Sequence, residues 1–202
     1  MKIIEVKSLV FPEVKVVLFH RFADERGYFT ETYRFNQLEE FIPEFKIKQV
    51  MESHSRKGVL RGFHLQYDPP MGKLVRTIEG EMIDFFLDLR PSSLTFGKIA
   101  GYHMPSSYDD DFDCWIWIPP GFAHGNLYLK ESTIEYFSTS IYNPAGEIGI
   151  NPFASDIDWS LCDEKIKQVF NQYKNEIILS QKDKQGLAVN QFLSLSKKFT
   201  KK

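Results

Sequence analysis

The side chains able to move protons or bind anions fall in a few short segments. In Arg61-Gly62-Phe63-His64-Leu65-Gln66 an imidazole follows a guanidinium by three residues. A neutral imidazole accepts protons near neutral pH, and an Arg forks onto phosphate oxygens. Strand alternation puts Arg61 and Phe63 on one face and His64 and Gln66 on the other, unless a bulge intervenes. Lys73 follows the turn Asp68-Pro69-Pro70-Met71-Gly72 and opens the next apolar stretch. Asp84 and Asp88 share one face of Asp84-Phe85-Phe86-Leu87-Asp88-Leu89-Arg90. A carboxylate on so apolar a strand is costly unless paired, so either a core ion pair or a site accounts for Asp84. Pro119-Pro120-Gly121-Phe122-Ala123-His124-Gly125 forces a turn from which His124 enters a strand, and Tyr136 lies on a later one. Taken singly, each has an ordinary alternative: a satisfied structural His, a solvated Lys at a strand end, a core Tyr.

These residues must be positioned by strands. Alternation and turn residues predict strands at Lys2–Val6 and Val14–Phe22, then a turn at Asp24-Glu25-Arg26-Gly27 and extended chain over Tyr28–Tyr33. A short helix is expected at Asn36–Phe41. Further strands are expected at Lys46–Ser53, Val59–Leu65, Lys73–Glu79, Glu81–Leu89 and Phe96–His103, then at Trp115–Ile118, Gly125–Leu129 and Thr133–Ile141. A turn at Glu79-Gly80 separates two of them, and the acidic stretch Pro105–Asp113 reads as a surface loop. Many short strands with such spacing imply a jelly roll or sandwich. Asp163–Tyr173 and Leu187–Phe199 carry apolar residues at helical spacing. The basic end, Lys197–Lys202, reads as a solvated terminus.

Composition narrows the class. The 202 residues suit one domain spanning 1–202, with a core at about 14–159 and a helical extension over 160–202. Aromatics make up 15% of the chain and Phe contributes 18 residues, which favours a sheet-rich core. A net charge of -2 provides no general attraction to nucleic acid or an anionic membrane surface. No apolar run approaches membrane-spanning length, and Met1-Lys2-Ile3-Ile4-Glu5 lacks a signal-peptide core. Cys114 and Cys162 are too few for a disulfide framework and read as reduced, buried thiols, so a cytoplasmic location is expected.

The segment around His124 resembles the second motif of cupins. In the first cupin motif a His-x-His pair helps to bind metal, but here the segment is His64-Leu65-Gln66. A neutral amide is a poor transition-metal ligand, so a metal-free pocket is expected. From about Phe19 to Trp159 the chain resembles the dTDP-4-dehydrorhamnose 3,5-epimerase family, with a weaker echo at Leu179–Asp183. The motifs carrying the resemblance run in family order. They include Asp24-Glu25-Arg26-Gly27-Tyr28-Phe29-Thr30-Glu31, Gly58-Val59-Leu60-Arg61-Gly62-Phe63-His64-Leu65-Gln66 and Gly72-Lys73-Leu74-Val75-Arg76. Gly80-Glu81-Met82-Ile83-Asp84, Asp88-Leu89-Arg90, Thr95-Phe96-Gly97 and Ile118 through Gly125 follow.

The resemblance implies an all-β, cupin-type jelly roll with a few short peripheral helices and a helical C-terminal tail. It implies a homodimer needing no cofactor and acting on a nucleotide-diphospho-sugar, as an isomerase of deoxysugar biosynthesis. By the same resemblance His64 is the base, Tyr136 the opposing acid, and Lys73 the cation beside the enolate oxygen. Arg61 and His124 hold the sugar or diphosphate. Arg26, Glu31 and Gln49 contact the nucleotide, partly across the dimer, and Phe29 stacks on its base. Asp84 and Glu147 complete the substrate contacts.

The chain departs from the family pattern in places. A carboxylate that orients the base is expected near Trp159, where Pro152 or Ala154 stands instead, and Asp156 is the available substitute. Gln49-Val50-Met51 replaces a Gln-x-Asn motif, and Phe137 replaces a Lys beside Tyr136. Other readings to be separated are a C3-only epimerase, a 3,4-ketoisomerase and a non-catalytic nucleotide-sugar-binding cupin.

Overall fold

A computed structural model describes residues 1–42 and 45–199. Alternating apolar residues produce strands β1 (Ile3–Ser8) and β2 (Lys15–His20), then a small hairpin of β3 (Phe22–Asp24) and β4 (Gly27–Phe29). Helix α1 (Phe35–Leu38) precedes β5 (Gln49–Ser55), β6 (Leu60–Gln66) and the long β7 (Lys73–Asp88). Next come β8 (Ile99–Ser106), β9 (Phe112–Ile118), β10 (Phe122–Tyr128), β11 (Ser132–Ser138) and β12 (Glu147–Gly149). Helices α2 (Glu164–Tyr173), α3 (Gln181–Lys184) and α4 (Val189–Phe199) complete the chain. The expected all-β jelly roll with short helices and a helical tail is the observed architecture.

Strand β7 unites the two layers. Its first half pairs with β9 and β11, continuing to β2 and β1 on one side and β5 on the other. Its second half pairs with β8 and β10, and β10 continues to β6 and β12. The turn expected at Glu79-Gly80 is therefore a bend within one strand. Gly80 takes φ +106°, and a Cβ there would lie 2.3 Å from Ser132 Oγ, so only glycine lets the strand pass between layers.

Between the layers lie Val16, Val75, Met82, Phe86, Ile116 and Ile134, all buried. Outside one layer Phe85 packs edge-on against Phe170 of α2, and outside the other Trp115 lies against Phe137. Phe137 thus serves the core, 7% exposed, where the family pattern has a Lys. Asp88 is fully buried and takes hydrogen bonds from Arg90, Ser93 and Thr95, which close the β7–β8 connection.

Some boundaries differ from expectation. The extended stretch Tyr28–Tyr33 pairs only as far as Phe29. Strand β8 runs through Ser106 and β9 starts at Phe112, so the expected loop Pro105–Asp113 shrinks to 107–111. Asp113 is buried because Arg21 and Arg76 each reach its Oδ2 at 2.9 Å, which turns an acidic loop residue into the centre of an ion-pair network. Cys162 is buried as expected, while Cys114 is only partly so. The end of the basic tail, 200–202, lies outside the described residues. Among the described residues no helix is long and apolar enough to cross a membrane.

Candidate active site

A cavity of about 580 Å³ opens between the layers. His64, Lys73, Tyr136, Arg61, His124, Gln49 and Glu147 all line it. They come from β6, the start of β7, β11, β10, β5 and β12, so the site exists only when both layers are assembled.

Simple alternation would have separated Arg61 from His64. Gly62 adopts φ +124° between them, and the β6–β10 register shifts between His124 and Asn126. This bulge brings both side chains to one cavity. A Cβ on Gly62 would lie 2.6 Å from Gly125 Cα and from His124 O, so β10 approaches β6 too closely for any other residue. Arg61 is steadied by hydrogen bonds from its Nε to Ser55 Oγ (2.8 Å) and from its Nη2 to His54 O (3.2 Å). Gln66 does not share the site. Its amide donates to Pro69 O and Ile141 O and accepts from Asn143 N, which ties neighbouring loops to β6.

The carboxylate that orients His64 is Asp183, not Asp156. His64 Nε2 lies 2.6 Å from Asp183 Oδ1. Burial alone would raise the Asp183 pKa, but hydrogen bonds from His64 and Ser180 outweigh it and hold the carboxyl below its usual range. The ionised carboxylate can only accept, so Nε2 carries the proton and Nδ1 is the basic nitrogen. Asp156 instead caps α4, accepting from Val189 N and Asn190 N at 3.1 and 2.9 Å. A carboxylate at a helix start is stabilised by the free N–H groups there. The signal for Asp183 lies in the tail echo Leu179–Asp183, where it is the only carboxylate.

Burial depresses the Lys73 ammonium pKa, while the Glu147 and Asp84 carboxylates oppose that effect. Burial likewise lowers the His124 pKa, against the pull of Asp84. Asp84 is fully buried, with Oδ1 2.7 Å from His124 Nε2, so it lies behind the cavity wall as a counter-charge. Tyr136 is raised, mainly by burial, with Arg61 opposing, and it therefore stays a protonated phenol over a wide pH range.

At the mouth, Glu147 accepts from Tyr142 Oη at 3.2 Å and pairs with Lys182. Gln49 Oε1 accepts from Tyr142 N at 2.8 Å, so one of its polar atoms serves the loop. Sequence reasoning missed Asp183, Lys182, Ser180 and Tyr142 as cavity residues.

Arg26, Phe29 and Glu31 are not brought to the cavity. The Arg26 side chain is 84% exposed and pairs with Asp24, Phe29 is 72% exposed, and Glu31 pairs with Arg34 and the N-terminus.

The model of the family described as dTDP-4-dehydrorhamnose 3,5-epimerase matches residues 8–191. The chain belongs to this family. An epimerase of that name from Methanothermobacter thermautotrophicus is 39% identical over 166 residues, covering 81% of this chain and 82% of the relative. The Pseudomonas aeruginosa epimerase is 36% identical over 185 residues, covering 89% and 93%. Among solved structures, the Legionella pneumophila dTDP-6-deoxy-D-glucose-3,5-epimerase in complex with dTDP-4-keto-L-rhamnose superposes with a TM-score of 0.78 at 30% identity, covering 92% and 93%. The epimerase fold thus extends through the C-terminal segment that carries Asp183.

Proposed function

We propose that this chain epimerises a nucleotide-linked 4-keto-6-deoxysugar at C3, C5 or both, in deoxysugar biosynthesis. The observation that carries the reading is that His64, Lys73 and Tyr136 line one cavity, with His64 backed by a carboxylate. The C4 ketone acidifies the hydrogens on C3 and C5. His64 Nδ1 removes one as a proton, leaving an enolate whose oxygen faces Lys73. A fixed ammonium stabilises charge that develops only as the proton leaves. The Tyr136 phenol then returns a proton to the opposite face, and solvent restores both groups. No metal or organic cofactor is needed, because the ketone is itself the electron sink.

In this scheme Arg61 and His124 hold the diphosphate and sugar, and Gln49 and Glu147 line the nucleotide path. Asp84 supports the sugar site through His124. Arg26, Glu31 and Phe29 reach the nucleotide of a second protomer in a homodimer. A dTDP-sugar is the leading substrate, in line with the ligand of the Legionella structure. The free thiols suit a cytoplasmic setting.

A C3-only reaction is the second reading, because a relative from Streptomyces niveus, 33% identical over 142 residues, is a dTDP-4-dehydrorhamnose 3-epimerase. Incubation with dTDP-, CDP- and GDP-4-keto-6-deoxyhexoses in deuterated water separates the possibilities. Deuterium entering C3 and C5 with inversion supports the main reading, and C3 alone supports the second. A shifted carbonyl marks a ketoisomerase, and saturable binding without exchange marks a binding protein.

A further inference from the structure

The segment bearing Asp183 is a strap held at both ends. Leu60 N donates to Ile178 O (3.0 Å) and Ile178 N to Gly58 O (2.9 Å). Beyond α3, Leu187 N donates to Gly149 O (2.8 Å) and Asn151 N to Leu187 O (2.9 Å). Between these anchors the chain must aim one carboxylate at an imidazole 119 residues away in sequence. Asp183 is 5% exposed, and its two oxygens are divided: Oδ1 meets His64 and Oδ2 accepts from Ser180 Oγ at 2.8 Å. Ser180 Oγ in turn accepts from Asp183 N at 3.1 Å. A hydroxyl has one proton and two lone pairs, so both bonds form at once.

We propose that Ser180 is a positioning residue for the base, fixing the Asp183 carboxylate that orients His64. The inference rests on His64 being the base. With Oδ2 held by Ser180, rotation about the Cβ–Cγ bond of Asp183 breaks a hydrogen bond, so Oδ1 stays on His64. The His64 ring is then kept in the tautomer that leaves Nδ1 free. The competing role is helix capping alone, since Ser180 also occupies the N-cap of α3.

Three variants separate these roles. Ser180→Ala removes both the cap and the donor, Ser180→Thr keeps both, and Ser180→Gly keeps a favoured N-cap residue but has no proton to donate. For positioning, kcat falls about tenfold in Ser180→Ala with KM nearly unchanged, the scale of one hydrogen bond. Ser180→Thr recovers wild-type kcat, and Ser180→Gly stays as slow as Ser180→Ala although its melting temperature stays close to wild type. In an Asp183→Asn background the Ser180→Ala change adds no further loss, because its route of action is already gone. Nitrogen-15 spectra of His64 show the Nε2–H tautomer in wild type and a mixture in Ser180→Ala. Wild-type kcat in Ser180→Gly, an equal loss in the Asp183→Asn background, or an unchanged ring tautomer in Ser180→Ala overturns the proposal. Should wild type itself show no solvent exchange, the epimerase reading falls, while the ring-nitrogen spectra still decide whether Ser180 governs the imidazole.

Discussion

In the proposed mechanism the His64 nitrogen that Asp183 leaves free takes the proton from substrate, so the pair acts as a unit. Asp183→Asn keeps the shape but allows the amide to turn either its oxygen or its nitrogen toward the ring. We expect kcat to fall about 10²-fold or more, and Tyr136→Phe to block inversion while allowing His64-dependent exchange. Steady-state rates and deuterium uptake, measured on the same samples, check both. In the same mechanism Lys73 sets the alkaline limit. Its pKa is depressed in the folded protein, so the ammonium loses its proton at lower pH than an ordinary lysine. Activity should decline with rising pH at that depressed value. In Lys73→Arg the residual activity should lack this decline, because a guanidinium stays charged. A pH–rate profile of kcat shows whether the alkaline limb moves with the substitution.

Element geometry explains why the site residues converge. The bulge at Gly62 brings Arg61 and His64 to one cavity, and the bend at Gly80 lets one strand supply Lys73 to one layer and Asp84 to the other. Gly62→Ala would force a Cβ against Gly125 and the His124 carbonyl. That clash and the left-handed φ should together destabilise the fold by about 3 kcal/mol. Urea denaturation should show a lower midpoint, and any folded fraction should lose activity through displaced His64. The strap containing α3 follows the same logic, since both its ends are paired to backbone.

On the scale of the whole molecule, three residues of the proposed nucleotide site, Arg26, Phe29 and Glu31, lie away from the cavity. Phe29 and Arg26 project from the β3–β4 hairpin into solvent, and β5 is an edge strand with Val50 54% exposed. Both features suit burial against a second copy. Light scattering should give twice the chain mass. Arg26→Ala should raise KM for the nucleotide sugar at least about fivefold with little change in kcat, as expected for a residue that binds ground and transition states alike. A monomeric enzyme of full activity would remove the need for that hairpin in the site.

Much of this was legible in the sequence. Strand alternation, turn residues and the ordered motifs identified the jelly roll, the family, and His64, Lys73 and Tyr136 as residues to test. These signals are local, because side-chain period and turn chemistry depend on near neighbours in the chain. Asp183 stands in a faint tail echo that carries no role for it, and Asp156 is the substitute within the expected segment, reachable only by a shift of its loop. Which carboxylate meets the imidazole was decided by packing: the strap crosses β6, while Asp156 is drawn to the start of α4. The union of Arg61 with His64 was likewise a tertiary outcome, since it needs β10 pressed against a glycine. Local patterns specify elements, but contacts between residues far apart in sequence are chosen by the assembled fold, where burial and unpaired polar groups set the cost of each alternative.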